Sequence, residues 1–387
     1  MQSAGKDTQM KLLHTSDWHL GITAGKRSLA PDHRFFLNQL YDIIEHENIG
    51  AVLLSGDVYD SSVTNADTIE LYNEAVTKIC LDLKCPMIII AGNHDSGPRL
   101  AACRKLLKSA GLFVTGKLTR DIEPVMLDDG KTAVYPIPFF NRDEVCALFP
   151  EKSEEIRTTE EAFVAVCNNI RESMDKNIRN IVLSHAYITG AELSESDTAA
   201  RIGQAAAVSK QVFEGFDYAA LGHIHKPQRV ADNAGYSGSP MKFSFGAEEK
   251  QEKGVVIIDT EDMSRRFLPV SPLHDRKTIK GSYEDLITME DIDDCFIKAE
   301  VTDRMAGIAL FSQLLVKFPL LLELKGISGE GTGSALAITV DELERLDETE
   351  IMKRFLTENH EGYAPNDRQL EIFRKAVEEA GKESDRT

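Results

Sequence analysis

The chain lacks any apolar run approaching the roughly 20 residues that cross a membrane. Met1 to Lys11 is polar, without the apolar core of a secretion signal. Cysteine is sparse: six residues, at 80, 85, 103, 146, 167 and 295, with no CxxC pair. That leaves out a disulfide framework and a CxxC metal or redox site. It reads as the reduced, mostly buried thiols of a cytoplasmic protein. A basic excess is missing as well. Lys and Arg number 44 against 63 Asp and Glu, a formal net charge of -19. Proteins that hold a nucleic-acid backbone unaided are as a rule basic. Either nucleic acid is not the substrate, or bound cations and a partner supply the attraction.

What is present is ordinary in bulk and specific in detail. Hydrophobic content of 42% and charged content of 28% are those of a globular chain, and 387 residues suffice for two or three domains. From residue 11 to about 115, strand-like apolar runs alternate with stretches of helical spacing at 32–47, 65–80 and 98–108. This βαβαβα order predicts a mainly parallel sheet with helices on its faces. After residue 122 short strands take over, with a turn at Asp128-Asp129-Gly130 and a helix at 159–175. Further strands are expected near 181–183, 217–221, 234–238, 254–259 and 264–268. The fold class is α/β: two sheets, the first parallel and the second mixed, form a β-sandwich flanked by helices over 11–273. Residues 274–327 read strand, helix, strand, helix, strand, a small α+β module. Gly326 to Ser334 is rich in Gly and Ser, which predicts a flexible linker over 328–339. A C-terminal helical segment, 340–387, follows, with amphipathic helices at 340–357 and about 366–380. Their apolar stripes must be covered, by the chain's own core or by a partner.

Five of the strand-like runs lead into metal-type ligands. Leu12-Leu13 leads to Asp17-Trp18-His19, Ala51–Leu54 to Gly56-Asp57, and Met87–Ile90 to Gly92-Asn93-His94-Asp95. Ile181–Leu183 leads to His185, and Tyr218–Leu221 to Gly222-His223-Ile224-His225. Ligands at the ends of neighbouring strands converge in an open α/β sheet. Residues two apart on a strand face the same way, so Asp17 with His19, and His223 with His225, can each serve one ion. The donors are Asp17, His19, Asp57, Asn93, His185, His223 and His225. If Asp57 bridges, two ions receive four protein ligands each. Mixed imidazole and carboxylate ligation suits Mn²⁺, Fe²⁺ or Zn²⁺ better than Mg²⁺. Two such ions polarise a phosphate ester, make hydroxide available near neutral pH and offset charge on the leaving oxygen. His94, not counted as a ligand, is placed to donate to the phosphate or leaving group, and Asp95 to orient its imidazole. The other histidines (His14, His33, His46, His274, His360) read as structural or solvated. A lone DxH or GD says little, because such pairs recur on polar surfaces. GNHD after a strand says far more, and all five segments in this order leave chance a poor explanation.

The series D-x-H, GD, GNHD, H, GHxH resembles the signature of the calcineurin-like metallophosphoesterase superfamily. Thr15–Gly21, Ser55–Asp60, Gly92–Gly97, Leu221–Pro227 and Tyr236–Met241 are similar to segments of its bacterial DNA-nuclease branch. The match is strong over about 11–268, architectural over 274–327 and loose in the tail. The resemblance implies one ion held by Asp17, His19, Asp57 and His225, and another by Asp57, Asn93, His185 and His223. His94 would be the transition-state histidine. It implies Mn²⁺-dependent cleavage of DNA, exonucleolytic on double-stranded ends and endonucleolytic on single strands and hairpins. It further implies a capping domain over 274–327 that helps place DNA, and a homodimer through helices within about 60–110. The tail would bind the coiled-coil base of an SMC-type ATPase, whose own DNA-binding surface answers the charge objection. Other readings stay open: a phosphomonoesterase, nucleotidase or cyclic-nucleotide phosphodiesterase of the same superfamily, or a non-catalytic scaffold of the same fold. The added module and tail favour the nuclease, and the complete ligand set stands against a scaffold.

Overall fold

The structure, a computed structural model, describes residues 10–197, 207–292, 294–327, 337–340, 347–359 and 364–384. The chain divides into two compact units, Met1–Ile22 with Leu29–Leu273, and Thr23–Ser28 with His274–Thr387.

One sheet of the first unit runs Arg265–Pro269, Gly254–Asp259, Lys11–Thr15, Ile49–Leu54, Met87–Ile90, Leu112–Thr115. The last four strands are parallel, and Gly254–Asp259 is antiparallel to both its neighbours. The other sheet runs Gln228–Ala231, Ala234–Tyr236, Tyr218–Gly222, Arg179–His185, Thr132–Ile137, Val125–Leu127. Its middle four are parallel, with an antiparallel strand at each edge. Both sheets are therefore mixed, where the first was expected to be parallel. The difference arises because the chain returns after the second sheet and pairs Gly254–Asp259 onto the edge of Lys11–Thr15, covering a strand that would otherwise stand open.

Side-chain alternation divides each strand between two cores. Leu12, Leu53, Ile88 and Ile90 meet Ile181, Leu183 and Ala220 between the sheets. Leu13, Val52, Leu54 and Ile89 point the other way and pack with Phe36, Leu40 and Val76 of the covering helices. Strands buried on both faces read as near-continuous apolar runs. Each such Leu or Ile contributes about 1.5–3 kcal/mol.

The helix Ala30–His46 opens with proline in its first turn and buries Phe36, Leu37, Leu40 and Ile44. Ala66–Thr77 is capped by Asn65, whose side chain accepts the N–H of Thr68 at 2.9 Å, and it continues into a wider turn, Lys78–Asp82. The helix expected over 98–108 is broken. Cys103 lies at φ +58, in the left-handed region, between the short helices Gly97–Leu100 and Arg104–Leu107.

The second unit carries a four-stranded sheet, Asp275–Gly281, Cys295–Val301, Leu321–Lys325, Ala337–Thr339. The first three strands are parallel and connected through helices Tyr283–Thr288 and Ile308–Lys317. The fourth is antiparallel, with Ile338 paired to Leu324 and packed on a core that includes Leu286 and Leu314. The expected linker 328–339 is thus a strand at its end, because Ile338 has an apolar core to cover. Its other residues, 328–336, lie outside the described residues. The hairpin Thr23–Ser28 also groups with this unit, and Arg27 donates to the carbonyl of Pro319 at 2.6 Å. The tail helices are Glu348–Asn359 and Asp367–Ser384; Leu343 and Leu346, expected on the first, lie outside the described residues. Glu348–Asn359 packs on Ile308–Lys317 and on the second tail helix, where Arg374 donates to Thr349 at 3.2 Å and Leu370 is buried. Part of the tail's apolar surface is therefore covered within its own unit. Among the described residues no helix is long and apolar enough to cross a membrane.

Candidate metal centre

The five ligand-bearing segments meet where the parallel strands of both sheets end. Asp57 is central. Its Oδ2 lies 3.5 Å from His185 Nε2, 3.7 Å from His19 Nε2 and 4.0 Å from His94 Nε2. Its Oδ1 accepts the backbone N–H of His94 at 2.9 Å. To one side His19 Nε2 faces His225 Nε2 at 3.1 Å, and Asp17, His19 and His225 offer ligand atoms within 4.8 Å of one another. To the other, Asn93 Oδ1 is 2.9 Å from both His185 Nε2 and His223 Nδ1. All the expected donors thus stand in one cluster. Asn93 is half-buried and the rest are buried.

The turns that deliver these side chains are strained. Asp17, His19 and Asp57 have φ of +53, +45 and +48, and His223 has +100. Residues with a Cβ avoid such conformations, and where they persist the surroundings impose them. Gly92 admits no side chain, since a Cβ there would come within 2.1 Å of Asp57 Oδ1. Asp17 accepts the backbone N–H of His223, at 3.1 and 3.2 Å to its two oxygens. Behind the rings, His185 Nδ1 donates to the carbonyl of Ser55 at 2.8 Å, and His225 Nδ1 meets Ser196 Oγ at 2.8 Å. His19 Nδ1 lies 3.2 Å from Asp60 Oδ1. A histidine held at one ring nitrogen presents the other to a ligand. Phe139 stands edge-on to His185, and Phe243 to His19 and His225.

Charge in the cluster follows from burial and from Asp57. Burial works against an imidazolium at His185, but Asp57 and Asp17 prevail and raise it to about 9. Burial would likewise raise Asp57, yet the surrounding imidazoles of His185, His19 and His94 hold it well below the carboxylate range. Burial, aided by His185, pushes His223 down to about 3, so near pH 7 it is neutral with a lone pair to offer.

Asp95 does not orient the His94 ring. Its oxygens accept backbone N–H groups of Gly92 at 2.8 Å, Tyr59 at 2.9 Å and Val58 at 3.1 Å, tying the Asp57 turn to the Asn93 turn. The His94 ring is set instead by the carbonyl of Asp60, which accepts from Nδ1 at 2.8 Å. Asp60 lies three residues after Asp57 in a motif already visible in the sequence, so it was within reach of sequence reasoning. Ser196 and Asp197 were not. Asp197 accepts the N–H of His225 at 3.0 Å, from a segment with no ligand pattern.

These residues fit a pair of divalent cations. Imidazole nitrogens meet at 3.1 Å (His19 with His225) and 3.2 Å (His185 with His223), and His223 Nε2 is buried with no hydrogen-bond partner among the described residues. Such nitrogen and oxygen donors suit first-row divalent ions. The family model described as calcineurin-like phosphoesterase matches residues 10–227, more than half of the chain. The chain belongs to the calcineurin-like phosphoesterases. It is a metal-dependent hydrolase of phosphate esters. Among these phosphoesterases, the SbcD component of the nuclease SbcCD from Staphylococcus saprophyticus is 34% identical over 281 residues, 72% of this chain and 73% of that one. The protein of the same name from Staphylococcus epidermidis is 33% identical over 282 residues, 72% of this chain and 74% of that one. The solved structure of TT1561 of Thermus thermophilus is similar over 68% of this chain and 100% of that one. The two are 12% identical, with a TM-score of 0.41.

Proposed function

We propose that this phosphoesterase is a DNA nuclease of the SbcD type, acting in the cytoplasm on phosphodiester bonds at a binuclear centre. The similarity to the two staphylococcal SbcD nucleases carries the reading. It extends over 281 residues, beyond the stretch 10–227 that matches the family at large. Asp17, His19, Asp57 and His225 would hold one ion, and Asp57, Asn93, His185 and His223 the other, with Mn²⁺ the expected metal. The distances around Asp57 support that division. Two bound divalent ions supply an activated water near neutral pH and offset charge on the phosphate oxygens.

The chain's own residues set the geometry. Asp57 is held by the N–H of His94, and Asp95 ties together the turns that carry Asp57 and Asn93. His94, fixed at Nδ1, turns Nε2 towards Asp57 and keeps 19% of its side chain exposed. From there it hydrogen-bonds the phosphate or protonates the leaving oxygen. The finer reading is exonuclease action on double-stranded ends and endonuclease action on single strands and hairpins. Residues 274–327 would be a capping domain that helps place DNA. The tail helices would dock an SbcC-like SMC-type ATPase, and exposed Ile372 supports such a surface. A homodimer through 60–110 is supported by Val63, Ile69, Leu81 and Leu106, all exposed.

With Mn²⁺, the purified protein should degrade linear duplex and hairpin DNA, and Asp57→Asn should slow this by at least roughly 10²-fold. Fast hydrolysis of small phosphomonoesters with DNA left intact would assign the chain to the phosphatases or nucleotidases of the family instead.

A further inference from the structure

Behind His225 the first unit buries an ion pair. The side chains of Lys253 and Glu248 are 4% and 0% exposed, and Lys253 Nζ lies 2.6 Å from Glu248 Oε1. The ammonium has two further partners, the carbonyl oxygen of His225 at 2.8 Å and Ser239 Oγ at 3.0 Å. The ammonium thus faces one carboxylate as an ion pair and donates to two further acceptors. Glu248 Oε2 accepts from both the N–H and the hydroxyl of Ser244. Burial presses Glu248 towards its neutral form, but the charge of Lys253 and the serine hydroxyls outweigh it, and its carboxyl titrates below the usual range.

A buried ion pair seldom stabilises a fold more than well-packed apolar side chains would. Its placement therefore asks for another role, and the partners indicate one. The strand Tyr218–Gly222 ends before His225, so no sheet ladder fixes the backbone there. Side chains do so instead. Asp197 takes the N–H of His225, Ser196 meets Nδ1, and Lys253 holds the carbonyl, which also accepts the N–H of Ser239 at 3.1 Å. What this grip presents is Nε2, facing His19 Nε2.

We propose that Lys253, braced by Glu248, is a positioning residue for His225, fixing the peptide of that ligand so that its Nε2 meets a divalent ion beside Asp17 and His19. The proposal rests on the metal reading given above. Replacing Lys253 alone would leave a buried carboxylate unpaired, so the test removes both charges at once, as Lys253→Met with Glu248→Leu. Full-length protein is stripped with a chelator, its melting temperature is recorded, and it is titrated with Mn²⁺ by calorimetry. Wild type should take up two ions. The double variant should keep its metal-free melting temperature, bind one ion as wild type does and bind the other about 10–100-fold more weakly. A pair that served packing alone would shift the melting temperature and leave both affinities intact, and that result would overturn the proposal. Should the double variant not fold, Glu248→Gln keeps the shape while loosening Lys253. It should weaken the same ion several-fold, and wild-type affinity at both sites would again overturn the proposal. Wild-type protein that takes up no Mn²⁺ would overturn the metal reading itself, and this role with it.

Discussion

His94 and His14 show how one residue type takes opposite parts in one unit of the chain. His94 has solvent access and a ring fixed at Nδ1; it stands with His19 and Asp57 in a group that could hold an ion, and the proposed ligand sets leave it out. His94→Ala should therefore leave both Mn²⁺ ions bound, by calorimetry, while single-turnover hydrolysis falls by about 10²–10⁴. Loss of an ion in that variant would make His94 a ligand. His14 is fully buried, with Nδ1 3.2 Å from the hydroxyl of Tyr218 and Nε2 3.2 Å from the carbonyl of Leu221. Burial pushes its pKa down from 6.5 to about 3. The folded form then binds fewer protons than the unfolded chain between those values. Its stabilising contribution is complete above pH 6.5 and drains away as pH falls towards 3, by roughly 2–3 kcal/mol between pH 6.5 and 4.5. Urea unfolding of metal-free protein at pH 7 and 4.5 should show a smaller loss in His14→Gln than in wild type. Equal losses would place the acid sensitivity elsewhere.

At the scale of elements, the sequence showed most where strands are buried on both faces. Runs such as Met87–Ile90 feed two cores at once, so their apolar residues are continuous and the polar residue that ends each run stands out. The ligands were legible for that reason. What holds them was not, because Ser196, Asp197 and Lys253 reach His225 from segments whose local pattern is that of any polar loop. Short edge pieces were equally silent. The hairpin Thr23–Ser28 gives too few residues for a period, and Ala337–Thr339 sits after a Gly- and Ser-rich run that reads as linker. The strand changes how the tail should be tested. A cut after Gly333 would strip the fourth strand from the second unit, so lost binding could mean lost folding. A chain ending at Val340 keeps that strand. It should retain Mn²⁺ binding and cleavage of DNA but no longer co-elute with an SbcC-like ATPase in gel filtration. Retained co-elution would refute docking through the tail helices.

For the whole molecule the question is how a chain of net charge -19 approaches a polyanion. Its charge is not spread evenly. Ser96 to Arg120 contains six Lys and Arg and no Asp or Glu, and it begins directly after the GNHD segment. Arg104, Lys105, Lys108 and Lys117 are exposed and border a cleft of about 580 Å³, together with Arg120, Asp121 and Glu123. Arg120 is taken up by Glu151 at 2.6 Å. The other four basic residues have no carboxylate within 4.0 Å among the described residues. At physiological salt the Debye length is about 8 Å, so distant acidic surface is screened while a phosphate seated in this cleft feels the nearby ammonium and guanidinium groups. Binding of a labelled hairpin to Asp57→Asn protein, followed by anisotropy from 50 to 200 mM salt, should therefore weaken with rising salt by about 0.9 log units per log unit of salt for each phosphate contact. Adding Lys105→Glu and Lys108→Glu should lower both the affinity and that slope, the slope by about two contacts' worth. An unchanged slope would move the phosphate contacts off this segment and onto other surface of the chain, the metal centre included.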